Sequence, residues 1–187
     1  MRVKDEAKQR RIKEAMLALI LRDGIDGVSI SKIANEAGVS AATIYVYYEN
    51  KEEMFAEVFR EYAHKPYQYI VQSVHADMAG DEFIEALVRS CYSFSTEHED
   101  VFSLVEQCSH CPTLSERVCV ADCSCEVLDL IHHYQDIGVM RPYSDWNLGA
   151  VLFAPVRWLA MNRKSIQPDP EEHLNELVLM LQQMLLI

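Results

Sequence analysis

The stretch "GVSAATIYVYYENKEEMF", Gly38 to Phe55, decides how this chain is read. Gly38 supplies a turn and Ser40 offers a cap for the helix that follows. Tyr45, Tyr47 and Tyr48 fall within four positions. Asn50 can cap a further helix, with Glu52 and Glu53 in its first turn, where the helix dipole favours anions. Helical spacing puts Ala41, Ile44 and Tyr48 on one inner face. Ala42, Thr43, Val46 and Tyr47 point elsewhere. A solvated helix face normally carries Lys, Glu and Gln, and this one carries none. A small, apolar, hydroxyl-bearing face suits close approach to another surface. In a major groove, Ala42, Thr43 and Val46 can touch thymine methyls, while the Tyr45 and Tyr47 hydroxyls reach phosphates.

Working outward, Ile12, Ala15, Met16 and Leu19 repeat at the spacing of an amphipathic helix, which Gly24 and Gly27 end. Ser29 caps a second helix with Ile30, Ile33, Ala34 and Ala37 inside. The helix after Asn50 buries Phe55, Val58, Phe59 and Tyr62. Pro66 predicts an interruption and Ala79-Gly80-Asp81 a second one. Further helices are expected over 82–97, over 101–107, from Pro112 to Ile137, over 145–162 with a kink at Pro155, and after "QPDP" to the end. The expectation is an all-α chain of nine helices with no strand alternation.

With 187 residues, half of them apolar, the chain can bury a real core. The net charge is −12, which argues against indiscriminate nucleic-acid binding by the whole chain. The charge is unevenly spread. Residues 1–64 carry 10 basic and 11 acidic side chains, and residues 65–187 carry 7 and 18. Six basic residues stand within the first thirteen, so the front of the chain can approach phosphate. No apolar run is long enough to span a membrane. "AMLALIL" at 15–21 is bracketed by charges and reads as a core helix, not a leader. A cytoplasmic protein with no membrane partner is expected, its six cysteines thiols or metal ligands.

From about Lys8 to Tyr62 the sequence resembles the DNA-binding domain of the TetR (tetracycline repressor) family. The residues that carry the likeness are "GVSISKIANEAGVS", Gly27–Ser40, and "TIYVYYENKEEMF", Thr43–Phe55. Tyr48 stands where the family usually has phenylalanine, and Val46 where a polar residue is common. The resemblance implies a helix-turn-helix DNA-binding domain at residues 1–50, with a helix from about 51 linking it to a larger helical ligand-binding and dimerisation domain, 51–187. It implies a homodimer, a palindromic double-stranded DNA operator, and release of a repressor by a small-molecule inducer. It also places Lys51 at the helix start, where it and the helix N-terminus hold a phosphate. The expected DNA contacts are Ser29, Lys32, Ser40, Ala42, Thr43, Tyr45, Val46, Tyr47 and Lys51. Tyr48 is expected in the core.

In the remainder, an ordinary inducer pocket would be lined by Tyr92, Phe102, His133, Tyr134, Phe153, Arg157 and Trp158. The last two helices would form the dimer interface. Gly149, Ala150 and Ala154 permit close backbone approach there, and Leu174, Leu177, Val178 and Leu181 supply apolar area. "CSHCPTLSERVCVADCSCEVLDLIHH" holds five of the six cysteines and three histidines. Thiolate and imidazole suit zinc, or a redox sensor, so Cys108, Cys111, Cys119, Cys123, Cys125 and His132 form a candidate metal or thiol site. Their spacing matches no standard zinc signature. No other cofactor is expected. The sequence lacks the zinc-protease HEXXH, a phosphate-binding glycine loop and a Gly-x-Ser-x-Gly elbow, so no enzyme is expected. A non-DNA helical scaffold is the remaining alternative.

Overall fold

The computed structural model describes residues 5–109, 125–167 and 169–187. Ten helices lie among the described residues: α1 (Glu6–Asp23), α2 (Ile30–Ala37), α3 (Ala41–Tyr47), α4 (Lys51–Ala63), α5 (Lys65–Val71), α6 (Gly80–Glu97), α7 (Glu99–Ser109), α8 (Cys125–Asp136), α9 (Asp145–Asn162) and α10 (Pro170–Leu185). The chain divides into two compact units. One comprises Met1–Ala63 and Asp100–Val120, the other His64–Glu99 and Ala121–Ile187.

In the first unit, α1 packs on α2 and α2 on α3. Ile12, Ala15, Met16 and Leu19 are buried as their spacing requires, with Ile33, Ala34, Ala37 and Ile44. Full burial of one such side chain contributes about 1.5–3 kcal/mol. Asp5 starts α1, its carboxylate accepting the Ala7 and Lys8 amides. Helix α4 adds Met54, Phe55, Val58 and Phe59 to this core. Lys13 ties α1 to α4 through Glu57 at 3.0 Å and Glu61 at 2.5 Å. Burial alone would lower its pKa, but the hydrogen bonds and charges of Glu61 and Glu57 push it up to about 12.

The second unit is built around α6, which contacts α5, α9 and α10. Its core includes Phe83, Leu87, Val88, Ile131, Leu152 and Val156. Tyr134 stacks on Phe83 at 4.2 Å. Its hydroxyl hydrogen is shared between the carbonyls of His75 and Met78, both at 2.9 Å.

Helix α5 is an addition to the expected nine. Pro66 does mark the end of α4, but it also sits in the first turn of α5, where its missing amide costs nothing and its φ is already helical. Helix α9 continues through Pro155. Of the long helix expected from Pro112, Cys125–Asp136 is helical, and residues 110–124 lie outside the described residues. Backbone pairing of the strand type is confined, among the described residues, to one isolated bridge between Met140 and Leu186. No helix among them is long and apolar enough to cross a membrane.

Candidate nucleic-acid interface

The α2–α3 turn is set by local chemistry. Ser29 caps α2, accepting the Lys32 amide at 3.3 Å. Gly38 ends it at φ 65°, a left-handed conformation that glycine adopts without a Cβ clash. The Val39 amide then closes back on the Ala34 carbonyl at 2.9 Å. Ser40 caps α3 through the Thr43 amide at 3.2 Å, and the two hydroxyls bond at 2.9 Å.

Ile44 and Tyr48 turn inward and are buried. The Tyr48 hydroxyl lies buried with no hydrogen-bond partner among the described residues. Burial raises its pKa, with the Gln9 side chain opposing. The outward side of α3 presents Ala42, Tyr45 and Val46. Tyr45 is 57% and Val46 45% exposed. Thr43 is half-buried beside them. Ala42, Thr43, Val46 and Tyr47 border one side of a groove of about 450 Å³, and Asp5, Lys8 and Arg11 line the other. The charge-free recognition face therefore lies next to cations of α1.

Two of the expected contacts are already engaged. The Lys32 ammonium bonds the Gly27 carbonyl at 2.7 Å and Asp23 at 3.1 Å, bracing the α1–α2 turn and leaving one donor. The Tyr47 hydroxyl accepts the Asp5 amide at 3.0 Å and donates to the Asp5 carbonyl at 3.2 Å. Tyr45 makes no such bond among the described residues, so its hydroxyl is available. Lys51, at the start of α4, stands 5.2 Å over the Phe55 ring. Sequence reading missed Asp5, Lys8 and Arg11 as partners of α3. The signal was the acidic cap two residues ahead of the first α1 amides, set within a basic segment.

The other expected sites fare less well. Leu174, Val178 and Leu181 belong to the core of the second unit and are not on its surface. Leu177 and Gly149 are half-buried, while Ala150 and Ala154 are exposed. The exposed apolar side chains of these helices are instead Trp146, Trp158 and Met161 on α9, and Leu179, Met180 and Met184 on α10. Both sides of α9 are apolar, so its inner side could not be read from composition.

Of the pocket residues, Trp158 is 63% exposed and cannot floor a cavity within its unit. Tyr134 is a packed core residue with its hydroxyl satisfied. Phe102 is buried on α7, in the first unit. Tyr92, His133, Phe153 and Arg157 are half-buried, and Phe153 packs edge-on to Tyr67 at 5.9 Å. In the candidate thiol site, Cys108 is buried on α7 and Cys125 exposed at the start of α8. His132 pairs with Asp145 at 2.8 Å. Cys111, Cys119 and Cys123 lie outside the described residues. Among the described residues no three His, Cys, Asp or Glu side chains gather to hold a metal.

One long helix followed by two short ones joined through a left-handed glycine turn, with the last helix presenting an exposed, uncharged face, defines a helix-turn-helix DNA-binding module. Residues 12–58 match the family model described as bacterial regulatory proteins, tetR family. That match covers the helix-turn-helix region, so the chain carries a DNA-binding domain of the tetR type. An uncharacterized HTH-type transcriptional regulator of Haemophilus influenzae is 25% identical over 165 residues, 86% of each chain. An HTH-type transcriptional repressor of Streptomyces coelicolor is 46% identical over 56 residues, 30% of this chain and 29% of that one. The fold is also that of a TetR family transcription regulator from Marinobacter aquaeolei, with a TM-score of 0.80 at 22% identity, covering 100% of this chain and 99% of the other.

Proposed function

We propose that the protein is a cytoplasmic repressor that binds a palindromic operator as a homodimer and is released by a small-molecule inducer. Residues 1–50 form the DNA-binding domain, and residues from 51 onward, with Lys51 adding a phosphate contact at their start, link to and form the ligand-binding and dimerisation part. The exposed, uncharged face of α3 beside the cations of α1 carries this reading. Methyl groups of Ala42, Thr43 and Val46 read thymine methyls, while Tyr45 and Lys51 bond phosphate. Ser29 and Ser40 stay at helix starts, where cap and phosphate contact are compatible. With no Arg, Asn or Gln on α3, specificity also leans on duplex shape.

A palindrome needs two α3 helices at fixed spacing, hence two copies. The outward apolar faces of α9 and α10 favour a second copy as their partner. Trp146, Ala150, Ala154 and Trp158 recur every four residues on α9, and Met180 and Met184 do so on α10. Surface of this kind is seldom left to water. The inducer belongs with the second unit, where Tyr92, His133, Phe153 and Arg157 are the remaining lining candidates.

A gel shift against DNA upstream of the protein's own gene tests the reading. A retarded complex that survives competitor DNA is expected. Trp158→Glu with Met180→Glu should yield monomers by light scattering, and operator affinity should fall because the half-sites are no longer linked. Unaltered dimers in that variant would remove the assigned interface. A scaffold would shift no duplex.

A further inference from the structure

We propose that Tyr47 is a positioning residue, locking the cationic first turns of α1 against α3 so that one duplex meets both. The inference rests on the DNA-binding reading above and assigns Tyr47 a role other than direct phosphate contact. A phenol has one hydrogen, and a phosphate oxygen can only accept. The Tyr47 hydrogen is already donated to the Asp5 carbonyl at 3.2 Å, while the oxygen accepts the Asp5 amide at 3.0 Å. To donate to phosphate, Tyr47 would have to give up the first of these.

The residue so held is the one that starts α1. The Asp5 carboxylate accepts the amides of Ala7 at 3.1 Å and Lys8 at 3.3 Å, and its other oxygen pairs with the Lys8 ammonium at 3.3 Å. Helix ends fray unless their open amides are satisfied. Fixing Asp5 at both backbone groups therefore fixes the turn that carries Lys8, and Arg11 follows one turn later on the same side. Lys8 and Arg11 line the same groove as Ala42, Thr43 and Val46. Arg11 has no carboxylate partner among the described residues. Among the same residues Lys8 pairs with Asp5 alone, and both side chains are 46% exposed. A duplex seated on α3 would thus present its phosphates to two available cations. A tyrosine 42 residues further along the chain keeps those cations in register with the reading helix.

The test compares the salt dependence of binding in the full chain. A fluorescein-labelled duplex cut from DNA upstream of the gene is titrated with wild type, Tyr47→Phe, Lys8→Ala/Arg11→Ala and the triple variant, at several salt concentrations. Each lost phosphate–cation contact lowers the slope of log affinity against log salt by about 0.9. In a dimer on a palindrome, Lys8→Ala/Arg11→Ala removes four such contacts and should lose up to about 3.6. Tyr47→Phe removes no charge, yet its slope should fall in the same direction. The triple variant should be no shallower than Lys8→Ala/Arg11→Ala. In free protein, Tyr47→Phe should speed amide exchange at Ala7, Lys8 and Gln9 at least several-fold, with the middle of α1 unchanged. A drop in affinity with the slope intact would mean that Tyr47 bonds phosphate directly, and would overturn the proposal. So would an unchanged exchange rate at Ala7–Gln9. Wild type that binds no duplex would instead sink the DNA reading, and the exchange measurement keeps that failure distinct from failure of the lock.

Discussion

Replacing Lys13 with methionine should destabilise the protein by about 1 kcal/mol at neutral pH. Lys13 is 18% exposed and bridges α1 to two carboxylates of α4. Its rise from 10.5 to about 12 corresponds to roughly 2 kcal/mol at about 1.4 kcal/mol per tenfold change in proton affinity. The carboxylates of Glu57 and Glu61 are 40% and 48% exposed, so water screens the attraction and about half of that figure is expected. Methionine keeps the apolar stem, so the change isolates the ammonium. A lysine raised in the folded state stabilises fully below its unfolded value and ceases to do so as pH climbs through the folded one. The difference between wild type and Lys13→Met should therefore hold constant from pH 7 to 10, then shrink between 10.5 and about 12. Urea unfolding followed by circular dichroism at each pH measures it, and added salt should narrow the gap. A variant as stable as wild type at pH 8 would show that desolvating the ammonium cancels its pairing, and the reasoning would fail.

Ser40→Ala should cost about 1 kcal/mol, since α3 loses its cap and Thr43 its hydroxyl partner. The same urea titration reads this, with Ser40→Asp restoring most of it. Tyr45→Phe should weaken binding to every duplex alike by about 1.5 kcal/mol per half-site, the value of a hydrogen bond to a charged group. Competition between cognate and scrambled duplexes would expose a base-reading role if only the cognate suffers. Tyr134→Phe should cost about 1 kcal/mol, because the carbonyls it serves lie near water and recover solvent. A loss above about 3 kcal/mol would mean that the loop between α5 and α6 depends on this hydroxyl.

Where the causes are local, the sequence could be read to the residue. Ile12, Ala15, Met16 and Leu19 are buried together because helical period alone puts them on one side. Ser29 and Ser40 accept amides three residues on, and the Gly38 amide donates to carbonyls within four residues of itself. Helix α5 escaped because a proline stops a helix or starts one, and only the geometry around Pro66 decides which. The inner side of α9 escaped for another reason. Leu148, Leu152 and Val156 point inward, Trp146, Ala154 and Trp158 outward, and both stripes are apolar. Periodicity ranks sides by polarity and has nothing to rank there. On α10 the Leu174, Val178 and Leu181 stripe is legible as apolar, but spacing does not tell a second copy from the chain's own core, which is what uses it. The bond between Tyr47 and Asp5 joins residues too far apart for any local rule to pair.

The outward stripe of α9 also decides what light can report. The sequence holds two tryptophans, Trp146 and Trp158, and they are 90% and 63% exposed. Both indoles face water in a single copy, so their emission lies far to the red and changes little when that copy unfolds. Neither core contains an indole, and loss of either core passes nearly unseen in tryptophan fluorescence. Whatever covers the stripe brings Trp158 out of water and shifts its emission blue. Dilution through the dissociation range would reverse that shift while helical circular dichroism stays constant. Intrinsic fluorescence of this protein is thus a gauge of what its surface touches, and a poor gauge of whether it is folded.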